Sequence, residues 1–277
     1  MLGYLWVCPC KIHDFLKNQN KEKISIIMEN YLMTFSPTGG TEQTAKILTS
    51  AIADQWDHID LLRPISEISL TADDICLIAV PSFGGRIPTT SAERLANIHA
   101  NGARAILVCV YGNRAYEDTL SELQDVLTAS SFDCVAAVAA IAEHSIIREF
   151  GAGRPDADDC AQLIAFAEKI KECLENPSDN PLVVPGEYGT YTPFKNTPFV
   201  PAETDGCVNC GTCAEACPTE AIGDTPDKID PERCIKCMRC VAVCPISARK
   251  LDEKIYAALR ERLAAVCGTR KENELFL

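Results

Sequence analysis

From residue 30 onward, apolar runs alternate with amphipathic stretches. Residues 31–35 are apolar over the length of a short strand, and a turn of hydroxyls and glycines follows at 36–41. Apolar positions 45, 47, 48, 51 and 52 then repeat with the period of one helix face. Residues 58–62 predict a second strand, and residues 75–80 a third that is apolar without interruption. A helix is expected over about 89–99, a fourth strand over 103–110, a helix ending near Ser130, and a fifth strand over 132–141. Pro155 near the first helical position, with Asp156, Asp158 and Asp159 in the first turn, opens the last helix of this region. Strands that read as continuous apolar runs are buried on both faces, because helices cover both sides of a parallel sheet. The pattern predicts an α/β fold, a doubly wound parallel five-stranded sheet over residues 29–175.

The flanks read differently. The apolar start at residues 2–7 is too short for a signal peptide and has no basic residue before it. Cys8-Pro9-Cys10 has no nearby partner and reads as incidental, and Met28 is a candidate start of translation, so residues 1–28 are expected to be a poorly ordered extension. Over residues 176–202, prolines at 177, 181, 185, 193, 198 and 201 predict an extended connector, with Tyr188, Tyr191, Phe194 and Phe199 packing it along the first domain. Near the end, Ile255, Leu259, Leu263 and Val266 fall on one face, so residues 251–277 are expected to form a C-terminal docking helix.

Charge and cysteine content narrow the classes. The 277 residues carry a net charge of −13 and a pI near 4.8, which argues against a nucleic-acid partner. The acidic surface suits steering towards a basic patch on a redox partner, and solubility alone explains it equally well. No run of eighteen apolar residues predicts a membrane span. Sixteen cysteines without a signal peptide point to a reducing compartment, hence the cytoplasm. Cys76, Cys109 and Cys134 lie in strand patterns as small apolar residues, while Cys160, Cys173 and Cys267 lie in helical patterns without metal spacing.

Eight cysteines fall into two runs of the form C-x2-C-x2-C-x3-C-P, one starting at Cys207 and one at Cys234. Zinc sites use separated C-x2-C pairs, not two repeats of four with a trailing Cys-Pro. In this spacing three thiolates wrap one iron–sulfur cube and the fourth points to the other. Cys207, Cys210, Cys213 and Cys244 are therefore assigned to one [4Fe–4S] cluster, and Cys234, Cys237, Cys240 and Cys217 to a second. The runs resemble a bacterial-type bicluster ferredoxin, which implies a small α+β domain at residues 203–250; Met238 stands where the first run has Gly211.

A strand, a hydroxyl/glycine loop and a helix make a phosphate-binding arrangement, and without G-K-[ST] or G-x-G-x-x-G it points to flavin mononucleotide (FMN) rather than ATP or NAD. The loops F-S-P-T-G-G-T, P-S-F-G-G-R-I-P and Y-G-N-R-A-Y resemble the three flavin-binding loops of flavodoxins. That resemblance implies a phosphate site at Ser36, Thr38, Gly39, Gly40 and Thr41. It also implies a ring site at Phe83 with Gly84, and at Gly112, Asn113 and Tyr116, the Asn113 amide facing the pyrimidine edge. Pro37 departs from the pattern by lacking an N–H, and Arg86 and Arg114 bring positive charge that is either near the ring or paired elsewhere. His144, after the fifth strand, is a further candidate for the same crevice.

The order of the parts resembles a family of anaerobic bacterial flavodoxin–ferredoxin fusions. The resemblance implies electron transfer between flavin, clusters and redox proteins, with no catalytic residue assigned. Two other readings remain open. One is a flavin- and iron–sulfur-dependent oxidoreductase whose substrate pocket is lined by Arg86, Arg114, Asn113 and His144. The other is a ferredoxin whose flavodoxin-like domain has lost its flavin and serves interaction.

Overall fold

The computed structural model describes residues 29–178, 180–191 and 199–277. The expectations placed on residues 1–28, and on Pro193, Phe194 and Pro198, lie outside them.

The elements run in the order β1 (Asn30–Thr34), α1 (Gly40–Ile52), β2 (Asp57–Asp60), β3 (Ile68–Ser69), β4 (Ile75–Pro81), α2 (Thr89–Leu95), β5 (Ile98–His99), β6 (Arg104–Tyr111), α3 (Thr119–Ala129), β7 (Asp133–Ile141) and α4 (Ala157–Glu175). Five parallel strands stand in the order β2-β1-β4-β6-β7. Numbered among themselves this is 2-1-3-4-5, the flavodoxin-like doubly wound order, with its switch point beside β1. The continuous apolar runs are explained by alternation. Along β4, Cys76, Ile78 and Val80 enter one core with Met33 and Phe35, while Ile75, Leu77 and Ala79 enter the other with Leu32 and Leu48. Helices α1 and α4 cover the second core, and α2 and α3 cover the first.

Three details differ from the sequence expectations. Helix α2 stops at Leu95, and Ile98–His99 instead pairs in parallel with Ile68–Ser69 as a separate two-stranded ribbon. Pro155 precedes the N-cap Asp156 of α4 rather than standing inside the helix. The sheet also has six strands, because the end of the chain returns to it.

That return is made by β8 (Ala202–Glu203), α5 (Thr212–Glu215), α6 (Arg239–Ala242), β9 (Arg249–Lys250), α7 (Glu253–Cys267) and β10 (Glu274–Phe276). Only residues 253–267 of the expected C-terminal helix are helical, capped by the Asp252 carboxylate on the Lys254 and Ile255 N–H groups. Its expected apolar face is half-used: Ile255 and Leu259 pack on Phe199, Met238 and Leu251, whereas Val266 is exposed. Beyond it, β10 pairs antiparallel with β7.

A polar network makes this attachment. Arg154 and Asp159 form an ion pair with side chains 5% and 0% exposed, so neither charge can fall back on water. Asn273 donates to Asp159 Oδ1 at 3.0 Å and accepts from the Ile141 N–H at 2.9 Å, and Arg154 Nη1 donates to the Lys271 carbonyl at 2.8 Å. Burial alone would raise the Asp159 carboxyl; Arg154, the Asp156 N–H and Asn273 hold it below its ordinary value.

Residues 182–191 of the connector lie along α3, with Tyr188 and Tyr191 on it, whereas Phe199, expected to pack on the first domain, packs on Met238 and Leu251. Leu182 and Val184 are buried in the first core. Tyr188 Oη donates to Gln124 at 2.7 Å, and the Glu187 carbonyl accepts from Ser121 at 2.8 Å.

Candidate functional site

The loops after β1, β4, β6 and β7 share one end of the sheet, where ligands of such folds bind. In the first loop Gly39 takes φ +95° as the N-cap of α1, and Ser36 Oγ accepts from the Glu42 N–H at 2.9 Å. The N–H groups of Thr38, Gly39, Gly40 and Thr41 donate to no acceptor among the described residues. Thr38 and Gly39 are exposed, whereas the Thr41 side chain is buried. Four free donors on the N-terminus of a 13-residue helix can receive an oxyanion. A cation also stands there: Arg239, from the second cysteine run, donates from Nη1 to the Pro37 carbonyl at 3.1 Å, and its Nε is buried without a partner. This end fits the phosphate of a flavin nucleotide.

The ring end is more crowded. Phe83 and Arg86 exchange backbone hydrogen bonds across Gly84 and Gly85, whose φ of +64° and +88° build a tight hairpin turn. Phe83 is half-buried and Gly84 exposed. The Asp118 N–H reaches across from the β6 loop to the Gly85 carbonyl at 3.0 Å. The Asn113 amide is committed to the C-terminal segment, donating to the Cys267 and Thr269 carbonyls at 2.6 and 2.9 Å and accepting from the Lys271 N–H at 3.2 Å. The pyrimidine-facing role expected of that amide is thus taken by a segment of the chain itself, leaving the loop backbone. Tyr116 packs against Tyr111 in a tilted pair, ring centroids 5.2 Å apart, and donates to Glu274 at 3.2 Å. Arg86 is paired to Glu122 (Nε to Oε2, 2.7 Å) and Arg114 to Glu117 (2.8 Å), so both charges are compensated locally.

His144 packs directly on Gly112. A Cβ at residue 112 would lie 2.6–2.7 Å from His144 ring and backbone atoms, which only glycine avoids. His144 Nδ1 accepts from the Ile146 and Ile147 N–H groups, both at 3.1 Å, so the neutral ring carries its proton on Nε2. Burial first, and Arg114 second, push the imidazole down to about 4. The unfolded chain therefore binds the additional proton between about pH 4 and its ordinary pKa of about 6.5. The stability from the neutral ring is complete above that upper value and is lost as pH falls through the window, by about 3 kcal/mol in all. Urea midpoints measured from pH 4 to 7 are expected to show this slope. His144→Asn keeps an acceptor but does not titrate, and should remove it. Gly112→Ala should cost about 1–3 kcal/mol at every pH, by overpacking.

The eight cysteines of the two runs separate into two cavities. Cys207, Cys210, Cys213 and Cys244 line one, and Cys217, Cys234, Cys237 and Cys240 line the other. Among the described residues no three of His, Cys, Asp or Glu converge on a point that could hold a single ion. Each set of four thiols lines a single cavity, and cysteine thiolates are the ligands of iron–sulfur clusters. Positive φ recurs at Asn209 and Lys236, at Gly211 and Met238, and at Glu220 and Ser247, so the sequence repeat is also a backbone repeat. The trailing cysteines match as well, Cys217 accepting from the Ala221 N–H at 3.3 Å and Cys244 from the Ala248 N–H at 3.2 Å. Met238 adopts the left-handed backbone of its counterpart Gly211, with φ +61°. That costs on the order of 1–2 kcal/mol. Burying the side chain against Phe199 and Leu251 returns about 1.5–3 kcal/mol, so packing outweighs the strain.

The cavities face different surroundings. The one with Cys237 abuts the sheet: Ile235 packs on the first core, Arg239 reaches the loop after β1, and Arg94 Nη2 donates to the Pro218 carbonyl at 2.6 Å. Burial pushes the Cys237 and Cys240 thiols up to about 12. The other cavity reaches the surface at Cys210, which the Thr212 hydroxyl and N–H hold below the ordinary thiol value. Arg249 lines this second cavity, 3% exposed, with both Nη atoms on the Pro226 carbonyl and its Nε unpartnered. The spacing rule alone did not single out Arg239 or Arg249; a lone arginine between or after ligand cysteines carries no signal until the fold shows what it touches.

A family comparison covers the cysteine-rich half. Residues 200–245 match a family described as a 4Fe-4S dicluster domain. No curated protein matches the chain. Among solved structures, the rubredoxin oxygen:oxidoreductase of the anaerobe Desulfovibrio gigas is similar at 16% identity, with a TM-score of 0.38, over 53% of this chain and only 36% of that one. A flavodoxin of Streptococcus pneumoniae TIGR4 is similar at 18% identity and a TM-score of 0.36, over 52% of this chain and 97% of that one. A flavodoxin from the domain Archaea is similar at 10% identity and a TM-score of 0.39, over 54% of this chain and 100% of that one. Strand order, not these likenesses, carries the fold assignment. Among the described residues no helix is long and apolar enough to cross a membrane.

Proposed function

The chain joins a flavodoxin-like α/β domain to a 4Fe-4S dicluster domain, and from that premise we propose that it is an electron relay between FMN, two [4Fe–4S] clusters and redox partner proteins. When bound, the flavin takes one or two electrons and each cluster takes one. The chain supplies position and insulation. Thr38, Gly39, Gly40 and Thr41 hold the flavin phosphate with their N–H groups, and Phe83 and Tyr116 border its ring. The two sets of four cysteines hold the clusters.

The observation that carries this reading is Arg239. It stands between Cys237 and Cys240 and donates to Pro37 in the phosphate loop, which brings that cysteine cavity against the crevice. An oxidoreductase with its own small substrate is less well supported, because Arg86 and Arg114, two of the four residues expected to line its pocket, are in ion pairs with Glu122 and Glu117.

Anaerobic purification followed by flavin, iron and sulfide analysis tests the reading. About one flavin and about eight irons per chain are expected, with about four reducing equivalents taken up in a titration. Eight irons without flavin after incubation with FMN would leave the dicluster domain and remove the relay.

A further inference from the structure

The cysteine-rich half is electrostatically lopsided. Residues 200–227 contain six acidic side chains and no Lys or Arg, whereas residues 228–250 contain six basic side chains and two acidic ones. Two of these basic side chains turn inward, Arg239 reaching Pro37 and Arg249 buried on Pro226, while Lys228, Arg233 and Lys250 are exposed, Arg233 paired with Glu220. The acidic stretch is turned outward around the cavity of Cys207, Cys210, Cys213 and Cys244. Asp205, Asp224 and Asp227 are exposed on loops whose Glu203, Cys207 and Pro226 line that cavity. Lys228 and Lys250 are the nearby exposed cations, and Lys250 is paired with Glu253 at 3.3 Å.

In the middle of this acidic rim lie two large apolar side chains, Val208 at 67% exposure and Ile246 at 49%. Each lines the same cavity, one beside Cys207 and the other two residues after Cys244. Single exposed apolar residues need no explanation. Two of them flanking the place where Cys210 reaches the surface form an apolar centre within a charged rim, the anatomy of a transient interface. A second copy of this chain would bring acid against acid, so the occupant is a different molecule.

We propose that this face, centred on Val208 and Ile246, is the docking site for a redox protein that presents Lys or Arg side chains around its own exposed redox centre. The proposal rests on the relay reading and adds a direction to it. The Cys237 cavity faces the crevice and the Cys210 cavity faces the partner. Transfer there moves one electron from the reduced protein to the partner, with no bond made and no proton required.

The test uses the full-length, cluster-loaded chain, reduced anaerobically and mixed in a stopped-flow instrument with cytochrome c, a basic haem protein, or with benzoquinone, a neutral small oxidant. Each ferric haem takes one electron and each quinone takes two electrons and two protons, the protons coming from solvent. Replacing Asp205, Asp224 and Asp227 together by Lys should slow cytochrome reduction about tenfold or more at low salt and abolish its decline with salt. The triple Asn variant should show a smaller change of the same sign. Val208→Ser with Ile246→Ser should weaken binding of the oxidised protein to cytochrome c, read by calorimetry without electron transfer. Benzoquinone rates and iron content should stay unchanged in the Asp variants. If Glu168→Lys, on the exposed side of α4, slows cytochrome c as much per charge, net charge and not this face is responsible and the proposal falls. If the wild-type protein fails to reduce even benzoquinone, the relay reading itself falls.

Discussion

Cys244→Ala is expected to remove the cluster of the first cysteine run and to leave that of the run in which Cys244 stands. Its side chain lines the cavity of Cys207, Cys210 and Cys213, while Cys217 lines that of Cys234, Cys237 and Cys240. Each trailing cysteine is turned away from its own run by the residue spacing and held by a backbone N–H four residues on. Iron should fall from about eight to about four per chain in either Cys244→Ala or Cys217→Ala. Paired substitutions reveal the crossing. Cys244→Ala combined with Cys207→Ala strikes one cavity twice and should retain about four irons, whereas Cys244→Ala combined with Cys234→Ala strikes both and should retain almost none. The reverse result would mean that each run binds its own cluster. The surviving cluster should also differ in accessibility. In Cys217→Ala it lies at the surface beside Cys210 and should be bleached faster by chelators than the one left in Cys244→Ala.

Asp159→Ala is expected to cost about 3–5 kcal/mol, the usual penalty for leaving a buried charge without its partner. Arg154 would remain beneath the C-terminal segment with a side chain only 5% exposed, and Asn273 would lose its acceptor. The exposed pair of Arg148 with Glu143 provides the contrast. Arg148 is 78% exposed, and Arg148→Ala should cost less than about 1 kcal/mol. Urea denaturation compares the two. Hydrogen exchange should show that the Asp159→Ala loss begins at β10 and the adjoining edge of β7. The effect should extend to the candidate crevice, because Lys271 and the Cys267 and Thr269 carbonyls bind Asn113. Protection of the loop at residues 112–118 should therefore fall along with that of β10.

This link explains where sequence reading stopped. The inner strands β4, β6 and β7 were legible because they are apolar at nearly every position, the pattern of a sheet covered on both faces, whereas the edge strand β2 is Asp-His-Ile-Asp and mostly exposed. The strand at Glu274–Phe276 was not, since three residues at an antiparallel edge have neither the length nor the alternation to stand out. The phosphate-type loop was legible from its hydroxyls, its glycines and the helix after it. Asn113 was placed correctly at the end of β6, but its partners lie more than 150 residues away, and no local pattern encodes such a contact. Arg86 and Arg114 likewise left two outcomes open, and packing against Glu122 and Glu117 decided between them.

The cysteine runs mark the same boundary. Their spacing by itself determined the chemistry, because the number of residues between thiols limits what they can enclose. It also predicts a crossed pairing, and the two cavities are lined by the corresponding sets of four cysteines. The apolar periodicity by itself determined the α/β class. What only the tertiary structure decided is orientation: the run with Cys237 lies against the sheet, and the run with Cys210 lies against solvent. The two runs share their cysteines and trailing proline, so the spacing cannot tell inside from outside. That choice is made by side chains between the cysteines, Arg239 on Pro37 and Met238 in the packing between the two halves, and Val208, left facing water.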